Sequence, residues 1–183
     1  MKLDLITNKD SIENGVNNND EFYTPKYAIV PLLKYLKPNS KIWCPFDTHE
    51  SLFVKTFKEH GHTVIHTHKF NGENFFTYEL SNNCDYIISN PPYSLKYEVF
   101  NKLYEFGKPF AMLVGVVGLF ESQKRFELFK NNDFEIMYFN KRISYFKSYS
   151  DAKPKLNPPF SSVYLCHNIL PKQIVFEEVD KWP

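Results

Sequence analysis

Short runs of consecutive apolar residues alternate with segments of helical period along most of the chain, and this limits the folds open to it. A strand with one wet face alternates polar and apolar residues, whereas a strand covered on both faces is apolar throughout. Residues 41–44, 84–88 and 110–117 are of the second kind. Helical segments lie between the runs. In 24–38, Thr24 is positioned to cap a helix, Pro25 to enter its first turn, and Ala28, Ile29, Leu32, Leu33 and Leu36 to form one face. Pro31 is a site for a kink, and Pro38 closes the segment. Leu52, Phe53, Thr56 and Phe57 mark a second helix with Gly61 as its stop, and 95–106 and 121–130 mark two more. Further strands are expected at 63–67, 134–139, 161–166 and 173–176, with a short one at 74–78. The pattern predicts an α/β fold: a mostly parallel twisted sheet of about seven strands with helices on both faces. Ligands in such sheets bind beyond the carboxyl ends of the strands.

Composition narrows the function. The chain has 183 residues, the length of a single domain, and its 43% hydrophobic and 23% charged shares are those of a globular protein. Residues 1–20 are polar, Asn-rich and acidic and read as a flexible arm, leaving 21–183 as the domain. The six glycines are about half the usual share of roughly 7%, and no two stand as G-x-G. That excludes a P-loop and a standard dinucleotide fingerprint. The net charge of +1 gives no overall basic footprint, so any nucleic-acid partner must meet a local patch. Cys44, Cys84 and Cys166 each lie in or beside an apolar run and read as buried thiols of a reducing compartment. The N-terminus lacks a signal-peptide core, and no apolar stretch suits a membrane, so a cytoplasmic protein is expected.

The most informative segment is Asp85-Tyr86-Ile87-Ile88-Ser89-Asn90-Pro91-Pro92-Tyr93, a buried strand running into Asn-Pro-Pro-Tyr. Those residue types suit transfer of a group to an exocyclic base amine. Such an amine is a poor nucleophile because its lone pair is delocalised into the ring. An Asn side-chain carbonyl and the Pro91 backbone carbonyl can each take one amine hydrogen and draw the nitrogen toward tetrahedral geometry. The prolines hold the backbone in advance, and Tyr93 offers a face for a flipped-out base. The segment resembles motif IV of the S-adenosylmethionine-dependent amino-methyltransferases of DNA. A second match, Asn157-Pro158-Pro159-Phe160, follows a Lys- and Pro-rich loop and is read as lying near the base.

Other segments extend the resemblance over residues 21–176. Phe22-Tyr23-Thr24-Pro25 looks like motif X, which in this family meets the methionine end of the cofactor, though a plain helix start reads equally well. Ile42-Trp43-Cys44-Pro45-Phe46-Asp47 stands where motif I should be. Arg142-Ile143-Ser144-Tyr145-Phe146 resembles motif VIII, whose aromatic packs on the target base, a place given to Tyr145. The order runs X, I, IV, VIII, and the whole looks most like the small adenine methyltransferases common in bacteriophages. The resemblance implies a Rossmann-like methyltransferase that uses S-adenosylmethionine to modify N6 of adenine in DNA, as monomer or homodimer. Asn90, Pro91, Pro92 and Tyr93 would be catalytic. Tyr23, Thr24, Pro25, Pro45, Phe46, Asp47, His68, Asn74 and Phe75 would hold the cofactor. Arg142, Tyr145, Phe146, Lys147, Lys153 and Lys155, in the basic segment 140–160, would meet nucleic acid.

Three features depart from that family. The turn after the first strand, Pro45-Phe46-Asp47-Thr48-His49, has no glycine. The second strand ends His66-Thr67-His68 where an acidic residue usually holds the ribose hydroxyls. Asn74-Phe75 replaces Asp-Phe beside the cofactor's adenine. They leave open an RNA substrate or a methyltransferase-like binding or inhibitor protein without turnover. The histidines at 60–68 read as exposed or ribose-facing rather than as metal ligands, since zinc sites take three or four ligands, usually with Cys or carboxylate at short spacing, and no such set appears. Gly115-Val-Val-Gly118 reads as a strand end and turn, or as a close approach to the pocket.

Overall fold

The computed structural model describes residues 22–79 and 83–181, so the acidic arm expected at 1–20 lies outside the described residues. The first helix, α1 (Lys26–Ile29), tightens at once into a 3-10 segment, Val30–Tyr35. Pro31 supplies the reason: it has no N–H with which to continue an α ladder. Thr24 is not the cap. Pro25 occupies that position without a side-chain bond, and the Thr24 hydroxyl turns elsewhere.

The remaining elements are β1 (Lys41–Cys44), α2 (Leu52–Glu59), β2 (Thr63–His66), β3 (Tyr86–Ser89), α3 (Lys96–Phe106), β4 (Phe110–Gly115), α4 (Gln123–Lys130), β5 (Glu135–Phe139), β6 (Ser162–His167) and β7 (Ile174–Glu177). A strand expected at 74–78 is absent. Asn74 closes a turn there instead, its Oδ1 accepting from Phe76 N (3.0 Å) and its carbonyl from Tyr78 N (2.8 Å).

The seven strands form one sheet in the order β2-β1-β3-β4-β6-β5-β7. β1 is parallel to β2 and β3, β3 to β4, and β5 to β7; β6 runs antiparallel between β4 and β5. Alternate strand residues feed two separate cores, as the period-2 side-chain alternation requires. Ile42, Cys44, Ile88 and Leu113 pack with Ala28, Ile29, Phe53 and Phe57 from α1 and α2. Trp43, Ile87, Met112 and Leu165 pack with Val99, Phe100, Leu103 and Phe129 from α3 and α4. Helices therefore cover both faces. Among the described residues no helix is long and apolar enough to cross a membrane.

The chain leaves β1 toward β2 on one side and returns to β3 on the other, so β1 and β3 flank a switch point. The carboxyl ends of β1, β3 and β4 share one edge of the sheet with the amino end of β6. Gly115, at the end of β4, matters here for its lack of a side chain. A Cβ at that position would stand 2.9 Å from two carbons of the Phe160 ring. Gly115→Ala is expected to cost about 1–3 kcal/mol and to push Phe160 off the sheet end, read as a lowered Tm.

Candidate active site

A cavity of about 450 Å³ opens at this edge, between the ends of β1 and β3. That is within the usual range of roughly 300–1,000 Å³ for small-molecule sites. Pro45, Phe46 and Asp47 line it from the turn after β1, His68 from beyond β2, and Asn74 and Phe75 from the following turn. Tyr23 and Thr24 close another side, and Asn90 and Pro92 come from beyond β3. Pro25 stands outside the lining, at the head of α1.

Asp47 is buried in the cavity wall. Its Oδ1 accepts from Ser51 Oγ and its Oδ2 from Ser89 Oγ, both at 2.5 Å. Burial pushes its carboxyl up from 3.8 to about 6, against the opposing effect of the two hydroxyl bonds. The glycine-free turn is held by bonds to the exit of β2: Asp47 N donates to Thr67 O (3.2 Å) and Thr67 N to Cys44 O (3.1 Å). None of residues 45–49 has a positive φ, so that turn makes no demand for glycine.

Phe46 and Phe75 form an apolar wall, their rings 4.8 Å apart. His68 Nδ1 accepts from Phe70 N (3.2 Å), which places the proton of a neutral ring on Nε2. Asn74 Oδ1 is likewise engaged by Phe76 N.

Asn90 is oriented without ambiguity. Its Nδ2 donates to the Phe22 carbonyl (2.8 Å) and to Thr24 Oγ1 (3.3 Å). A carbonyl only accepts, so the amide nitrogen must face Phe22. The opposite atom, Oδ1, is buried without a hydrogen-bond partner. Pro91 is buried behind it. Tyr93 is half-buried, with its hydroxyl 3.1 Å from that of Tyr145.

Tyr145 does not present a ring to solvent. It is fully buried, and its hydroxyl donates to Ser162 Oγ (2.7 Å). It braces Tyr93 from behind. Residues 145 and 156 pair as an antiparallel bridge, which makes a neck for the basic segment. Phe146, half-buried, pairs with Tyr23. Lys147, Lys153 and Lys155 are exposed beyond the neck and Arg142 is exposed before it. The second Asn-Pro-Pro match splits in two. Asn157 accepts from Ser144 Oγ (2.5 Å) away from the cavity, while Phe160 lies 5.5 Å from the Tyr93 ring.

Several residues at the site went unread in the sequence. Ser51 reaches Asp47 from four residues along the chain, whereas Ser89, behind the lining, meets it only because β1 and β3 are neighbours. Tyr149, in the basic segment, lines the cavity with its hydroxyl 3.4 Å from Ser51 Oγ and its ring edge-on to Tyr23. Among the described residues no group of three or more His, Cys, Asp or Glu is placed to hold a metal.

No family model and no curated protein sequence matches the chain. Among solved structures it is similar to a modification subunit assigned to a type I restriction enzyme of Vibrio vulnificus YJ016, with a TM-score of 0.47 and 13% identity. The match covers 87% of this chain and 47% of that one, so the chain spans about half the length of that subunit.

Proposed function

We propose that the chain is a methyltransferase that uses S-adenosylmethionine to modify the exocyclic amine of adenine in DNA. The observation that carries this reading is the Asn90 carboxamide. Its nitrogen is committed to Phe22 and Thr24, and its oxygen is a fixed, buried acceptor that has no hydrogen to accept. An amine hydrogen on a flipped base meets that need. The Pro91 carbonyl takes the other hydrogen, so the nitrogen lone pair is freed from the ring and aimed in advance.

The cavity beside Asn90 fits the proposed cofactor in size and in chemistry. Asp47 is a buried carboxyl without a cationic partner, and a ligand ammonium would supply one. Phe46 and Phe75 would pack on the adenine, Tyr23 and Thr24 would flank the methionine end, and His68 would face the ribose. When bound, the cofactor supplies an electrophilic methyl group. Titration calorimetry with S-adenosylmethionine should give micromolar, one-to-one binding; no heat with or without DNA would remove the reading.

The basic segment is assigned to the phosphates. Arg142, Lys147 and Lys155 form no ion pair among the described residues, and Lys153 is exposed beside them. Changing all four to alanine is expected to weaken DNA binding and flatten its salt dependence. Each lost phosphate contact lowers the slope of log K against log salt by about 0.9. Anisotropy titrations between 50 and 200 mM salt, roughly the range over which such contacts are lost, measure it.

A further inference from the structure

Phe22 stands where the proposed base would go. Its ring lies on Tyr93 with centroids 5.2 Å apart and planes 22° from parallel. It meets Tyr145 edge-on at 5.2 Å and Phe160 at 6.2 Å. Its carbonyl takes a hydrogen from the Asn90 amide. Phe22 therefore contacts both the stacking face and the orienting carboxamide, yet its ring carries no donor for Asn90 Oδ1. Proteins keep few sealed acceptors of this kind, and each calls for a reason.

Packing distance decides whether a base and Phe22 can be present together. Carbon surfaces touch at about 3.5 Å, so a base between two rings needs roughly 7 Å between them. Phe22 and Tyr93 are too close for that. The other approaches to Tyr93 are taken by Phe160 at 5.5 Å and by Lys96 Nζ at 5.6 Å from the ring centroid.

We infer that the Phe22 ring is an internal occupant of the base site, which a planar, amine-bearing base displaces. The incoming base takes the Tyr93 face and gives Asn90 Oδ1 the hydrogen it lacks. This rests on the reading of Asn90 to Tyr93 as a base site. The geometry also ties displacement to the nucleic-acid backbone. Tyr23, the next residue, is paired with Phe146 through two backbone bonds of 3.3 and 2.9 Å. Phosphates that engage the basic segment thus pull on the strand that carries Phe22. A free nucleoside has no such lever and must displace the ring unaided. Phe22 is in this sense a positioning residue that favours a base presented on a strand.

The test is a fluorescence titration of the full-length protein with a single-stranded thymidine decamer carrying one central 8-vinyldeoxyadenosine, a fluorescent adenosine that keeps its 6-amino group. Removing a competing occupant raises the binding-competent fraction, so Phe22→Ala is expected to bind at least about five-fold more tightly than the unaltered protein, with a larger change in 8-vinyladenine emission. Phe22→Leu, which keeps apolar bulk without a flat face, should fall between them, and thermal melts confirm that both variants fold. Tyr93→Ala should remove the emission change in either background. Equal or weaker binding by Phe22→Ala, with the emission change retained, overturns the inference and leaves the base site standing. No emission change in any protein, the unaltered one included, removes the base site itself and the inference with it.

Discussion

Asn90→Ala is expected to lower methyl transfer by about 10²–10³-fold while leaving a folded protein, because it deletes an acceptor fixed before the reaction begins. The side chain has a structural part to play as well. Its amide satisfies the Phe22 carbonyl and bonds to the Thr24 hydroxyl. Losing those bonds costs about 1–2 kcal/mol, a fall in Tm of several degrees rather than unfolding. Activity and stability therefore separate. A variant that melts a few degrees early and transfers almost nothing is the expected result, read by circular dichroism and a labelled-methyl assay. A variant within ten-fold of the unaltered protein would remove Asn90 from the reacting centre.

Asp47→Asn is expected to move stability and cofactor affinity in opposite directions. The Asp47 carboxyl titrates at about 6 in the folded protein, because burial disfavours its charge. The unfolded chain releases the same proton near 3.8. Between those values the folded state holds more protons than the unfolded one. Stability therefore falls as pH rises through the window from about 4 to about 6, then levels off. The full effect corresponds to about 3 kcal/mol. Asparagine never ionises and keeps an acceptor for the serine hydroxyls, so the variant should match the unaltered protein at about pH 3.5 and exceed it at neutral pH. Its affinity for S-adenosylmethionine should fall by at least about ten-fold, since a bond to a charged partner is worth about 1.5–3 kcal/mol. In the unaltered protein, that affinity should rise between pH 5 and 7 as the carboxylate forms. Equal affinities at pH 7.5 would make Asp47 a structural residue only.

What the sequence discloses, and what it hides, follows from the range of each interaction. β1, β3 and β4 are legible because strands buried on both faces are apolar at consecutive positions. The placement of Asn90 at a carboxyl edge follows from the strand before it. Residues 74–78 mislead because Phe75, Phe76 and Tyr78 favour strands, while the Asn74 side chain bonds locally and closes a turn. Thr24 looks like a cap because Pro25 follows it, yet its hydroxyl accepts from Asn90, 66 residues away. Tyr145 lies in a basic run and reads as a surface ring, whereas the bridge to Leu156 turns it into the core. The missing glycine after β1 reads as a defect only while the backbone is unknown; the turn uses ordinary φ values and is clipped to Thr67. Phe22 carries no chemistry in its side chain, so only its position on Tyr93 gives it a role.

The central claim is most directly tested by incubating the protein with methyl-labelled S-adenosylmethionine and, in parallel, duplex DNA, single-stranded DNA and RNA, then digesting each to nucleosides. The expected result is labelled N6-methyldeoxyadenosine from DNA, nearly absent with Asn90→Ala. Label in RNA alone would move the substrate while keeping the site. No label in any of the three, from a protein that binds the cofactor, would contradict the assignment of Asn90 to Tyr93 as a base-amine methylation site.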